Sequence, residues 1–117
     1  MNYLLIFLGG GLGSIARFGI SQLFGNYAIQ FPIATFITNI LSCIILGIAL
    51  YLVKIKSGSE MSWFLITGFC GGFSTFSTFS LETFQLLQSG HFFYAGLNVV
   101  SSILLCIAII YLIYKLN

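Results

Sequence analysis

The sequence predicts an all-α integral membrane protein of four transmembrane helices, and three observations carry that prediction. Of 117 residues, 59% are hydrophobic and only 5% are charged, where a soluble domain carries about 25% charged residues. Four apolar stretches are each long enough to cross a bilayer, since roughly 20 helical residues at about 1.5 Å rise span the ~30 Å hydrocarbon core. The connectors are short, Gly25 to Phe31, Lys54 to Glu60 and Gln88 to His91, so neighbouring helices run antiparallel. Residues 1–117 are read as a single four-helix transmembrane domain without a soluble domain, linker or low-complexity tail. The N-terminus lacks the basic region and small-residue cleavage site of a signal peptide, so Met1 onward is expected to belong to the mature protein.

The first helix is predicted from Leu4 to Phe24. After Leu4-Leu5-Ile6-Phe7-Leu8 it turns glycine-rich, and Gly9 with Gly13 forms a small-xxx-small face that lets another helix backbone approach closely. Gly11, Gly13 and Ala16 match a G-x-G-x-x-A dinucleotide fingerprint in form only, because no acidic residue follows about 20 positions later and no soluble βαβ unit can form. Arg17, one turn beyond Gly13, reads either as a guanidinium snorkelling to the interface or as a vestibule charge that attracts anions.

The second helix, Pro32 to Val53, opens with proline at a first-turn position. Thr35, Thr38, Asn39 and Ser42 share one face of it. The fourth, Phe92 to Tyr114, carries a looser version in Asn98, Ser101, Ser102 and Cys106. Such stripes face one another or a lumen. Hydroxyls at this spacing also serve as hydrogen-bonding glue between helices, whereas Asn39 and Asn98, without charged neighbours, offer N–H donors suited to an anion.

The third helix, Met61 to Leu87, holds the most unusual stretch, Gly68-Phe69-Cys70-Gly71-Gly72-Phe73-Ser74-Thr75-Phe76-Ser77-Thr78-Phe79-Ser80-Leu81-Glu82. Gly71-Gly72 is the weakest place to hold helical backbone, so the helix is expected to break near Gly71-Ser74. A break at that depth is tolerated only inside protein or beside a water-filled cavity. Phe73, Phe76 and Phe79 are expected to form one inclined ridge, with the Ser and Thr hydroxyls in parallel ridges. Ring edges carry partial positive charge and can face an anion while hydroxyls replace its water. Glu82 is expected near an end of the span, hydrated or paired with Arg17.

Several function classes are excluded. A net charge of +2, from Arg17, Lys54, Lys56 and Lys115 against Glu60 and Glu82, is too small for an electrostatic nucleic-acid binder. Cys43, Cys70 and Cys106 are odd in number and widely spaced, and suggest packing residues rather than disulfides or a zinc site. No acid–base pair or nucleophile constellation is present, and His91 lies in a connector, so the chain does not read as an enzyme.

Along its whole length the chain resembles the Fluc (CrcB) fluoride channels, small four-helix bacterial membrane proteins. The likeness lies in the glycine-rich first helix ending Ala16-Arg17-Phe18, in Pro32…Thr35…Asn39, and above all in Gly71-Gly72-Phe73-Ser74-Thr75-Phe76-Ser77-Thr78-Phe79-Ser80-Leu81-Glu82. It implies passive exit of cytoplasmic fluoride through an antiparallel dimer in the bacterial cell membrane, with two pathways built from both subunits. Phe76 and Phe79 match pathway phenylalanines and Asn39 the pore asparagine. Ser77 and Thr78 match hydroxyl positions beside the aromatics, and Thr35, Ser102 and Cys106 fall on an expected polar track. Gly71 and Ser74 match positions whose backbone carbonyls hold a structural Na+ ion at the dimer centre, which makes the Ser74 side chain of little consequence there. Cys106 departs from the usual hydroxyl or small residue, Ala34 and Ser42 stand where glycine is common, and Asn98 fills a position shared with tyrosine.

With four spans, Lys54, Lys56 and Lys115 fall on one side and at most Arg17 on the other, a bias that favours cytoplasmic termini. An antiparallel dimer then requires a partner inserted the other way, so the partner is expected to be either this chain itself or a paired homologue of opposite topology. Two other classes compete. A small multidrug-type exporter needs an intramembrane carboxylate that the first helix lacks, and an assembly subunit explains the glycine faces but not the Phe-Ser-Thr register.

Overall fold

A computed structural model of the chain describes residues 1–24 and 32–116. It measures 45 × 32 × 20 Å. Helix α1 covers Asn2–Phe24, and α2 runs over Ile33–Gly47 and continues in wider π-helical turns through Ile48–Leu52. The third span is interrupted. Its first piece, α3 (62–73), is π-helical over Ser62–Cys70 and α-helical over Gly71–Phe73; its second, α4, is Phe76–Gln88. Helix α5 is Phe92–Leu116. The four predicted spans are therefore present to within about two residues at each end, and no strand occurs among the described residues. The predicted connector Gly25 to Phe31 lies outside the described residues.

Local chemistry explains the helix ends. Ser59 caps α3: its hydroxyl oxygen accepts the Ser62 N–H at 3.2 Å, while its carbonyl takes the Trp63 N–H at 3.1 Å, which satisfies donors a helix start leaves unpaired. Glu60 then stands beside the positive end of the helix dipole. At the end of α4 the chain closes in a Schellman turn. Gly90 takes φ 84°, and the His91 and Gly90 N–H groups donate to the Leu86 and Leu87 carbonyls at 2.8 and 3.1 Å, the pairing that glycine in the left-handed region permits.

Packing follows the small residues. Helix α1 lies mainly on α3, while α2 and α4 each pack on α5. The Gly9/Gly13 face meets α3 as expected: both glycines are buried, and a Cβ built on Gly9 or Gly13 would collide with the carbonyl oxygen of Phe64 or Phe69. Helix α3 answers with glycines of its own. A Cβ on Gly68 would stand 2.9 Å from the Ile6 oxygen, and one on Gly72 would strike the Gly10 carbonyl.

That contact revises the expectation for Gly71-Gly72. Both are helical, Gly71 at φ −64° and ψ −36°. Gly72 admits the α1 backbone rather than bending its own, and the chain leaves the helix two residues later. Ser74 (φ −120°, ψ 116°) and Thr75 (φ −122°, ψ 123°) are both extended.

Candidate functional site

The two extended residues determine the local chemistry. Helix α3 ends with the Ser74 N–H bonded to the Cys70 carbonyl at 3.1 Å, and α4 begins with the Phe79 N–H on the Thr75 carbonyl at 3.3 Å. Between those bonds the N–H groups of Phe76, Ser77 and Thr78 have no place in the helical ladder, so the partly positive end of α4 opens at the break. On the other side, the carbonyls of Gly71 and Ser74 receive no donor among the described residues. Unpaired backbone oxygens are the ligands a hard cation takes, so these two positions fit a share in a sodium site, with further oxygens needed from outside the chain.

Beside the break lies an open groove of about 290 Å³ lined by Asn39, Cys43, Ser74, Thr75, Phe76, Phe79, Ser102, Ile103 and Cys106. Four of the expected pathway residues, Asn39, Phe76, Phe79 and Ser102, meet here. The Ser74 hydroxyl donates to Asn39 Oδ1 at 2.5 Å. With its oxygen held, the amide leaves its Nδ2 hydrogens without an acceptor among the described residues. The Ser74 side chain thus has a task of its own, orienting the asparagine, in addition to any role of its carbonyl.

The aromatic ridge is divided. Phe73 is buried and stacks on Phe69 with centroids 5.3 Å apart, because the break takes it out of register with the next turn. Phe76 and Phe79 stay together, centroids 5.8 Å apart and planes tilted by 33°. Phe79 is buried, whereas Phe76 exposes 79% of its surface and projects from the single chain.

Other expected site residues stand elsewhere. Thr35 is buried and donates its hydroxyl to Glu82 Oε1, bridging α2 and α4 outside the groove lining. Ser77 is exposed and Thr78 half-buried, and neither lines the groove of this chain. Arg17 reaches the end of α3, beside the break. Its Nε donates to the Gly72 carbonyl at 3.2 Å and places a cation on the C-terminal turn of α3, where the dipole favours it. Glu82 accepts from Thr35, and no Arg17–Glu82 hydrogen bond forms among the described residues.

Most of the remaining polar stripe is glue. Asn98 is fully buried, donates from Nδ2 to Thr83 Oγ1 at 3.0 Å and accepts from Ser102 at 3.4 Å, so its amide joins α4 to α5 and is not offered to a ligand. Ser42 and Cys70 exchange contacts between α2 and α3, hydroxyl to carbonyl at 3.5 Å and thiol to carbonyl at 3.9 Å. Thr38 and Ser101 bond back to carbonyls of their own helices, at 3.0 and 2.5 Å.

Sequence reasoning missed three contributors: the Ser74 hydroxyl, the free N–H groups opening α4, and Cys43. The last had a signal. Asn39 and Cys43 stand four apart on α2, as Ser102 and Cys106 do on α5, and residues four apart share a helix face.

The family model described as CrcB-like protein, Camphor Resistance (CrcB), matches residues 4–114. A Coxiella burnetii (strain CbuK_Q154) protein named fluoride-specific ion channel FluC is 48% identical over 114 residues, covering 92% of this chain and 90% of the relative. Proteins of the same name from Pyrococcus abyssi and Flavobacterium psychrophilum are 45% and 46% identical, covering 93% and 86% of this chain and 89% and 83% of their own lengths. With four helices long and apolar enough to cross a membrane, and with a family match and close relatives over nearly its whole length, this multi-pass membrane protein belongs to the CrcB-like family.

Proposed function

We propose that the chain is one subunit of a fluoride-selective channel that lets cytoplasmic fluoride leave the cell passively and so limits its toxicity. The observation that carries this reading is the Asn39 amide, held by Ser74 with its N–H donors free in a groove walled by Phe76 and Phe79. Fluoride is small and strongly hydrated, so a path for it needs many donors close together; a narrow lining of amide, hydroxyl and ring edge is too tight for chloride. The open end of α4 adds positive potential, and Arg17 adds a full charge beside the break. The name printed for the relatives points the same way.

The working unit is a dual-pore antiparallel dimer with itself or with a paired homologue. The groove is open on one side in this chain, and Phe76 projects from it, as expected of a wall completed by a second subunit. Ser77, Thr78 and the Thr35–Glu82 bridge extend the path beyond the groove. The Gly71 and Ser74 carbonyls of each subunit would hold a structural sodium ion, which when bound would supply positive charge at the breaks. Nothing in this function requires an enzyme.

Fluoride-electrode measurement on liposomes containing this chain tests the proposal. Rapid efflux that needs no proton gradient, with chloride excluded, is the expected result. Replacing Phe76 with isoleucine leaves the fold intact, since the ring is exposed, and lowers the rate about 2- to 10-fold, on the scale of one aromatic interaction. Proton-coupled cation uptake rejects the channel, no flux from this chain alone rejects the homodimer, and no flux with a paired homologue present as well rejects the channel; full flux through the Phe76→Ile protein rejects the aromatic assignment.

A further inference from the structure

We infer that Cys43 and Cys106 form a two-thiolate site for a soft, linearly coordinating divalent ion of the mercuric class. Both cysteines are free and partly accessible, and both line the same groove from two helices, α2 and α5, that pack on one another. Each sits one turn beyond a polar groove residue, Asn39 on α2 and Ser102 on α5. The pair is therefore aimed by two helices that already pack together.

The coordination number selects the ion. Among the described residues no third His, Cys, Asp or Glu joins the pair, which leaves no ligand set for tetrahedral zinc. Thiolate sulfur selects soft ions, and a d¹⁰ ion content with two ligands is satisfied here. Charge selects further. Two thiols lose two protons to bulk water as Hg²⁺ forms two Hg–S bonds, and the product is neutral, whereas a monovalent ion would leave a net negative charge at membrane depth, where charge is costly.

The test starts with reduced protein in detergent, freed of reductant and titrated with mercuric chloride while mercury–thiolate absorption is followed. One mercury per chain is expected for the wild type and for Cys70→Ser, whose thiol lies outside the groove. Releasing it with 2-mercaptoethanol should take at least about 100-fold more competitor than for Cys43→Ser or Cys106→Ser, because the second thiolate is already in place. Equal retention by either single variant, loss in Cys70→Ser, or no mercury bound to the wild type overturns the site. A second arm rests on the fluoride-channel reading. Mercury in the pair stands in the groove, so after a 2-mercaptoethanol wash strong enough to strip a single thiolate it should still slow efflux from wild-type vesicles, relative to their metal-free rate, while Cys106→Ser recovers its own metal-free rate. If mercury binds as stated and efflux is unchanged, the thiol site stands and the groove's assignment as the pathway fails.

Discussion

Replacing Asn39 with aspartate tests the proposed site by changing charge with almost no change in shape. Ser74 donates to Asn39 Oδ1 at 2.5 Å, and a carboxylate accepts that bond equally well, so the side chain stays where it is. Its second oxygen then occupies the place of the N–H₂ group in the groove, and a donor becomes a full negative charge. For a fluoride ion passing about 4 Å away, at an effective dielectric constant of roughly 20, the repulsion is about 4 kcal/mol. Since each 1.36 kcal/mol is tenfold in rate, the Asn39→Asp protein should pass fluoride about 1,000-fold more slowly at neutral pH. The sign of its pH dependence follows. Protonation removes the charge and gives the groove an O–H donor, so flux should rise as pH falls, after the leak of protein-free vesicles is subtracted. Fluoride-electrode efflux across a pH series reads both effects. Wild-type flux at neutral pH, or a rate that does not climb on acidification, would refute the reasoning that the Asn39 donors face the ion.

Further outcomes follow from the same geometry. Ser74→Ala frees the amide to turn its oxygen toward the groove; losing a hydrogen bond worth about 1 kcal/mol should cut flux roughly 2- to 5-fold, and an unchanged rate would show that the hydroxyl does not orient Asn39. Gly13→Ala drives a Cβ into the Phe69 carbonyl and should destabilise the chain by about 1–3 kcal/mol, seen as earlier loss of the monodisperse peak on heating in detergent. Gly96→Ala, with nothing within 4 Å, should be neutral or stabilising because alanine is the better helix former; equal damage at both sites would deny that α1 docks on α3 through its glycines. A topology reporter fused after Asn117 should report cytoplasmic termini alone, given three lysines on that side; insertion in both directions would remove the case for a paired homologue.

The chain by itself determined that it crosses a membrane four times, where the helices begin and end, that Gly9 and Gly13 mark a close helix contact, and that the third span cannot be one plain rod. These follow from local quantities, namely apolar run length, 3.6-residue periodicity and backbone propensity, and a family-wide motif made the resemblance specific. Tertiary structure decided how each polar group is used. Asn39 and Asn98 look alike in sequence, yet one amide faces a groove and the other joins α4 to α5, because only packing supplied Thr83 as a partner for the second. Gly72 looked like a hinge and proved to be a seat for Gly10, since a glycine's missing Cβ serves flexibility or close approach equally well until the neighbouring helix is placed. For the same reason only the folded chain set Arg17 on the Gly72 carbonyl and brought Cys43 and Cys106 into one groove: separations of 55 and 63 residues of sequence leave no local period to read.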